Sequence, residues 1–180
     1  MQRSGTILIV DDSPVDRELI ESSLRAIGIT SRICSFDDGA EAIAYLAGER
    51  AYADRASHPY PALILTDLKM PGTDGFAVLE FLRGRMNFCV IPTVVFSGSA
   101  DPDDVKTSYY LGASSYIVKP ATAHELQHRL KTMIAYWELC EAPAATLSGE
   151  HVKTDSRGKL GQRFSREPFG TTAEPPAPSS

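Results

Sequence analysis

Short apolar runs alternate with longer amphipathic ones over roughly the first 140 residues. Ile7-Leu8-Ile9-Val10 stops at two aspartates and reads as a buried strand. Ser13-Pro14 then opens a helix, with serine as N-cap, proline at the first helical position and Asp16 in the first turn. Val15, Leu19, Ile20, Leu24 and Ile27 follow at helical spacing, and Gly28 ends the run. A second strand is predicted over 32–36. Asp38-Gly39-Ala40-Glu41 resembles a capping box ahead of a helix carrying Ala42, Ile43 and Leu46. After a polar stretch, 48–61, comes the strand Ala62-Leu63-Ile64-Leu65, ending at Thr66-Asp67 and a Pro71-Gly72 turn. Phe76, Leu79 and Leu82 mark a third helix, and Thr93-Val94-Val95-Phe96 a fourth strand. Asp101-Pro102-Asp103-Asp104 caps a fourth helix, and 115–118 is the fifth strand. Thr122-Ala123-His124-Glu125 is another capping box, opening a helix with Leu126, Leu130, Met133, Ile134 and Trp137.

Five strands and five helices in strict alternation imply an α/β domain, a parallel sheet covered by helices on both faces. The strands are apolar almost throughout, as two-sided burial requires. A flavodoxin-like, doubly wound (βα)5 arrangement with strand order 2-1-3-4-5 is the natural candidate, although the alternation alone does not fix that order. Residues 143–180 are rich in Pro, Gly, Ser and Thr, carry mixed charge and show no sustained periodicity. The expected organisation is a domain over 1–141 and a disordered tail over 142–180.

Bulk properties narrow the picture. The chain is 43% hydrophobic, enough to bury a core. Its net charge of −5 and the lack of a clustered basic run argue against a nucleic-acid surface. No run approaches the roughly 20 apolar residues of a membrane span, and the N-terminus lacks a signal-peptide pattern, so a cytoplasmic protein is expected. Cys34, Cys89 and Cys140 are far apart and odd in number, which predicts buried free thiols and no disulfide or zinc site.

The polar residues of interest fall just after strands. Asp11 and Asp12 follow the first, Asp67 ends the third, Ser97 the fourth and Lys119 the fifth. In a parallel sheet these positions share one edge and converge in one crevice. Adjacent carboxylates repel one another, and a hard divalent cation with oxygen ligands relieves the repulsion. A lysine adds a mobile positive charge able to pair with a phosphoryl group, and a serine hydroxyl can donate to a phosphoryl oxygen. The set therefore suits phosphoryl transfer, which asks mainly for positioning and charge neutralisation. One carboxylate can itself be the nucleophile.

These residues carry a family resemblance. Ile7-Leu8-Ile9-Val10-Asp11-Asp12 looks like the opening of a response-regulator receiver, and Leu65-Thr66-Asp67-Leu68-Lys69-Met70-Pro71-Gly72-Thr73-Asp74-Gly75 looks like its phosphorylation loop. Pro92-Thr93-Val94-Val95-Phe96-Ser97-Gly98, Leu111-Gly112-Ala113 and Tyr116-Ile117-Val118-Lys119-Pro120 match later motifs, so the resemblance spans about 6–136. It implies that Asp67 is the phosphoacceptor. It also implies that Asp11, Asp12, Asp67 and the backbone carbonyl of Lys69 bind Mg²⁺, and that Ser97 and Lys119 engage the phosphoryl group. Tyr116 matches an aromatic switch that turns inward when the Ser97 hydroxyl moves, and the Lys119-Pro120 bond is expected to be cis. Lys69 and Ser99 sit where the family tunes the lifetime of the phosphoryl state. The stretch Glu49-Arg50-Ala51-Tyr52-Ala53-Asp54, the segment Ser108-Tyr109-Tyr110-Leu111-Gly112-Ala113-Ser114-Ser115-Tyr116 and the ending Tyr136-Trp137-Glu138-Leu139-Cys140 resemble single-domain receivers associated with phytochrome-type sensor kinases.

The implied function is that of a response regulator in a two-component phosphorelay. A sensor histidine kinase, of phytochrome type by the narrower resemblance, donates the phosphoryl group, and the output is a contact with a downstream or phosphotransfer protein. Homodimerisation through the last helix is a further expectation. The protein would catalyse its own phosphorylation and dephosphorylation without turning over a free substrate. Asp37, Asp38, Asp101, Asp103 and Asp104 read as helix caps, and His124 and His128 as a solvated face. Two other functions compete. A haloacid-dehalogenase-type hydrolase also uses an aspartyl nucleophile but wants Asp-x-Asp, and Asp67-Leu68-Lys69 lacks the second acid. A binding-only pseudo-receiver would have a broken site, whereas every expected position here is filled.

Overall fold

The computed structural model describes residues 5–85 and 87–140, and the expected tail over 142–180 lies outside them. The strands are β1 (Thr6–Val10), β2 (Ile33–Phe36), β3 (Pro61–Thr66), β4 (Thr93–Ser97) and β5 (Ser115–Val118). The helices are α1 (Pro14–Ala26), α2 (Gly39–Ala47), α3 (Gly75–Arg83), α4 (Pro102–Tyr110) and α5 (Ala123–Leu139). All strand pairs are parallel, in the order β2-β1-β3-β4-β5. This is the flavodoxin-like order that the alternation left open.

Period-two alternation divides the strand side chains between two cores. Ile7, Ile9, Leu63, Leu65, Val94 and Phe96 face α1 and α5, meeting Ile20, Leu24, Leu126, Leu130 and Ile134. Leu8, Val10 and Ile64 face the other way, onto Ala42, Tyr45 and Leu46 of α2 and Val78 and Leu82 of α3. A third cluster, Leu68, Leu79, Val95, Leu111 and Ala113, packs beneath Phe76 and Tyr116. Trp137 joins the first cluster, so the apolar stripe of α5 is core.

The helix starts follow their capping chemistry. Ser13, Asp38, Asp74, Asp101 and Thr122 each accept a backbone N–H within the first turn. The acids three residues after Asp38 and Thr122 have other partners. Glu41 accepts the Tyr52 hydroxyl, and Glu125 pairs with Arg129. The polar stretch before β3 is more ordered than its composition implied. It holds a short 3-10 helix, Arg50–Tyr52, and Tyr52 packs against Phe36, Tyr45 and His58. Arg55 donates to the carbonyls of Tyr45 and Leu46, closing the end of α2.

Two expectations are corrected. The Lys119-Pro120 bond is not cis, since none of the described peptide bonds is. Trans is the lower-energy X–Pro isomer by roughly 0.5–1 kcal/mol, and Lys119 reaches the crevice with it. The expected burial of the cysteines is the second correction. Cys34 lies half-buried on the edge strand β2, Cys89 is exposed in the connection into β4, and Cys140 is half-buried just past α5.

Two glycines are dictated by close approach. A Cβ on Gly75 would stand 2.0 Å from the carbonyl oxygen of Asp67, and one on Gly39 would stand 2.4 Å from that of Thr73. The Gly39 N–H also donates to that Thr73 oxygen at 3.1 Å. Both contacts press the segment after Asp67 against helix starts. Gly39→Ala should therefore destabilise the protein by about 1–3 kcal/mol in urea unfolding. Gly84→Ala, whose Cβ would meet nothing closer than 3.5 Å, should be neutral or stabilising by up to about 1 kcal/mol.

Candidate functional site

The sheet continues by single hydrogen bonds past its carboxyl ends, and these place the functional side chains. Asp11 N–H donates to the Phe36 carbonyl at 3.0 Å, Asp67 N–H to Val10 at 2.8 Å, and Lys119 N–H to Ser97 at 2.7 Å. The crevice lies where the chain turns to opposite sides of β1, the expected ligand position in such sheets.

Lys119 stands at its centre. Its Nζ is 2.7 Å from Asp11 Oδ2, 2.7 Å from Asp16 Oδ2 and 2.7 Å from Asp67 Oδ2. The contacts to Asp16 and Asp67 are hydrogen bonds. The contact to Asp11 is an equally short ion pair, and that ammonium is the neighbour of the buried Asp11 Oδ2. Burial disfavours the Lys119 charge, but the surrounding carboxylates outweigh it and hold the pKa well above the usual lysine value. The other oxygen of Asp67, Oδ1, accepts from Ser97 Oγ at 2.6 Å, Leu68 N–H at 2.6 Å and Lys69 N–H at 3.3 Å. Burial pushes Asp67 up, but its bonds from Lys119 and Ser97 prevail, and the carboxyl lies below its ordinary value. Asp11 is different: burial dominates over Lys119 and raises it.

Asp11, Asp12 and Asp67 each bring a carboxylate oxygen within 4.8 Å of the others. Two of these residues are buried and Asp12 is exposed. Hard oxygen donors around a partly open position fit a divalent cation that keeps some of its waters. The carboxylates assigned to the metal from the sequence are thus brought together, and so are Ser97 and Lys119 with Asp67.

Tyr116 lies outside this inner set. Its ring packs on the third cluster, and its hydroxyl donates to the Ser99 carbonyl at 2.8 Å. The Ser99 hydroxyl donates to Asp104 Oδ2 at 2.6 Å, and Asp104 pairs with Lys69 Nζ at 3.0 Å. Lys69, after Asp67, is therefore tied across the crevice to α4. Asp104 is not the cap expected from the sequence: Asp101 is the cap, and Asp104 lies one turn on, facing Lys69. Asp16 was likewise read only as a first-turn acid, although it faces Lys119. Its signal was present: a residue in the first turn of the helix after β1 lies at the same edge as Asp11.

The response regulator receiver domain model matches residues 7–131. The chain belongs to this family. Response regulator Rcp1 of Synechocystis sp. is 33% identical over 140 residues, 77% of this chain and 93% of Rcp1. The phosphorylated cyanobacterial phytochrome response regulator RcpA superimposes with a TM-score of 0.73 at 33% identity, covering 78% of this chain and 99% of RcpA. The Mn²⁺-bound form of Rcp1 gives a TM-score of 0.70 at 32% identity over 78% of this chain and 99% of that structure. The chain is a two-component response regulator. Among its described residues, no helix is long and apolar enough to cross a membrane.

A cation that binds only the folded state raises the melting temperature. Mn²⁺ at millimolar concentration should raise that of the wild-type protein by several degrees, about 1–3 kcal/mol in stability. Asp11→Asn and Asp12→Asn should each abolish most of the increase in a thermal-shift titration.

Proposed function

We propose that this response regulator accepts a phosphoryl group on Asp67 from the phosphohistidine of a sensor histidine kinase. In this reading Mg²⁺ is held by Asp11, Asp12, Asp67 and the backbone carbonyl of Lys69. The observation that carries the proposal is the Asp67 carboxylate itself, which is kept ionised by Lys119 and Ser97 beside two further acids at the switch point of the sheet.

The chemistry follows from the residues. An ionised carboxylate oxygen of Asp67 attacks the donor phosphorus. The P–N bond breaks with its electron pair going to the imidazole nitrogen, leaving an acyl phosphate. Bound Mg²⁺ would supply positive charge against the acidic cluster and the phosphoryl oxygens. Lys119 shifts its pairing from the Asp67 carboxylate to the phosphoryl group, and Ser97 donates its hydroxyl to another phosphoryl oxygen. Water attack on phosphorus then releases inorganic phosphate and restores the carboxylate. The protein promotes both steps on itself and turns over no free substrate.

The surface chemistry supports output through a protein contact. Tyr109, Tyr110, Tyr136 and Leu139 are large exposed apolar side chains on α4 and α5, and β5 between those helices is an edge strand. We assign this face to a homodimer partner or a downstream phosphotransfer or effector protein, with Tyr116 as the switch residue coupled to Ser97. Similarity to RcpA and Rcp1 favours a phytochrome-type kinase as donor. The receiver then runs over 1–141 and works in the cytoplasm, where kinase and receiver meet.

Acetyl phosphate with Mg²⁺ should add one acid-stable, base-labile phosphate, read by intact-protein mass spectrometry. Asp67→Asn should abolish labelling while keeping the fold, as judged by circular dichroism. Wild-type protein that stays unlabelled although folded would overturn the assignment.

For the surface, multi-angle light scattering should report a dimer in beryllofluoride and Mg²⁺. A monomer both with and without beryllofluoride would rule out homodimerisation.

A further inference from the structure

Lys119 presents a problem that the proposed function does not itself solve. Its ammonium stands 2.7 Å from Asp11 Oδ2 and 2.7 Å from Asp67 Oδ2, oxygens of residues that would hold the cation. An ammonium and a divalent ion repel one another when they share a carboxylate. If Lys119 had only these anions, it would act as a competitor for the metal site.

The first turn of α1 supplies a third anion. Asp16 Oδ2 accepts a hydrogen bond from Lys119 Nζ at 2.7 Å, and Asp16 is not one of the three acids clustered for metal. Asp67 Oδ2 and Asp11 Oδ2 meet the same ammonium at the same distance, 2.7 Å. An acid outside the cluster thus takes a share of the ammonium that would otherwise fall wholly on Asp11 and Asp67. Asp16 is also held in place. The Ser13 hydroxyl accepts the Asp16 N–H at 3.2 Å, and the Ser13 N–H donates to Asp11 Oδ1 at 3.0 Å. The neighbouring Arg17 guanidinium donates to the Asp11 carbonyl. The start of α1 is therefore fastened to the end of β1, and Asp16 moves with Asp11.

We infer that Asp16 is a positioning residue for Lys119, drawing its ammonium toward α1 so that Asp11 and Asp67 can take the divalent cation. The inference rests on the metal site of the proposed function and assigns how that site is kept available. The simpler role for Asp16 is that of an acid in a helix first turn, which stabilises the helix dipole and touches no ligand. A second alternative is purely electrostatic, in which any negative charge this close favours a cation through space. Only the positioning role runs through Lys119, and that separates the three.

The test is calorimetric titration of MgCl₂ into the full chain. Four proteins are compared: wild type, Asp16→Asn, Lys119→Met and the double variant. Asp16→Asn should weaken Mg²⁺ about tenfold in the wild-type background. In the Lys119→Met background the same change should cost about twofold or less, because there is no ammonium left to redirect. Asp16→Glu should restore part of the affinity, and the melting temperatures should confirm that all variants fold. An equal loss in both backgrounds would assign Asp16 to the through-space effect and overturn the positioning role. Unchanged affinity in Asp16→Asn would leave it a helix-start acid and equally overturn the inference. Wild-type protein that binds no Mg²⁺ would overturn the metal site as well, a result distinct from the other two.

Discussion

The site depends on one ammonium group set among more acids than it can neutralise. Lys119 faces Asp11, Asp16 and Asp67, with Asp12 alongside, and the lysine side chain is only 17% exposed. Two carboxylates 4 Å apart repel by about 4 kcal/mol at the effective dielectric of a protein surface. Two of these acids, Asp11 and Asp67, are buried, and such a pair is tolerable only if a cation shares its volume. Lys119 is that cation, but it leaves a residual negative charge. The residue explains why burial raises Asp11 while Asp67, better supplied with donors, goes down. It also gives the crevice its appetite for a second, mobile positive charge.

The fold makes such a cluster possible by keeping everything behind it dry and fixed. Asp11, Asp67 and Lys119 each begin with a backbone N–H bonded to the neighbouring strand, so their Cα positions are extensions of the sheet. The strands themselves are filled on both faces, with Ile7, Leu8, Ile9 and Val10 all at 0% exposure. Removing freedom from the backbone beforehand means that little ordering remains to be done when ligand arrives. Gly75 and Gly39 extend this rigidity to the loop after Asp67, since both lie so close to its carbonyls that a methyl group would displace them.

The strands and most of the inner set were legible because both follow short-range rules. Two-sided burial writes strands as continuous apolar runs, and a parallel sheet puts every strand end on one edge, so Asp11, Asp67, Ser97 and Lys119 could be grouped without knowing the strand order. Asp16 and Asp104 were not legible as site residues. Each lies in a helix first turn, where an acid is already explained by the helix dipole, and only tertiary geometry shows that Asp16 faces Lys119 and Asp104 faces Lys69. The segment before β3 was missed for a different reason. Its order comes from Tyr52 meeting Phe36 and Tyr45 and from Arg55 closing α2, contacts distant in sequence that leave no periodic trace. Cys89 was misread because a cysteine's average burial says nothing about one in a surface connection.

Within the proposed function, the same arrangement decides where a change at Asp67 can go. A phosphoryl group adds charge and three acceptor oxygens to a place already crowded with anions. The strands cannot yield, being paired on both sides and packed on both faces except at the edges. The connection after β4 can. Gly98 has open space around it, and Ser99 is held by hydrogen bonds to Asp104 and Tyr116 rather than by core packing. Ser97 leaves Asp67 Oδ1 when it turns to a phosphoryl oxygen, and Ser99 lies two residues on. Any shift there is felt by Tyr116 on β5 and by Asp104 on α4 together. Lys69 adds a second tether from the loop after Asp67 to the same Asp104. The rigid sheet and the lightly held connection thus divide the work. One fixes the chemistry, and the other leaves the α4–β5 surface as the part of the molecule free to report it.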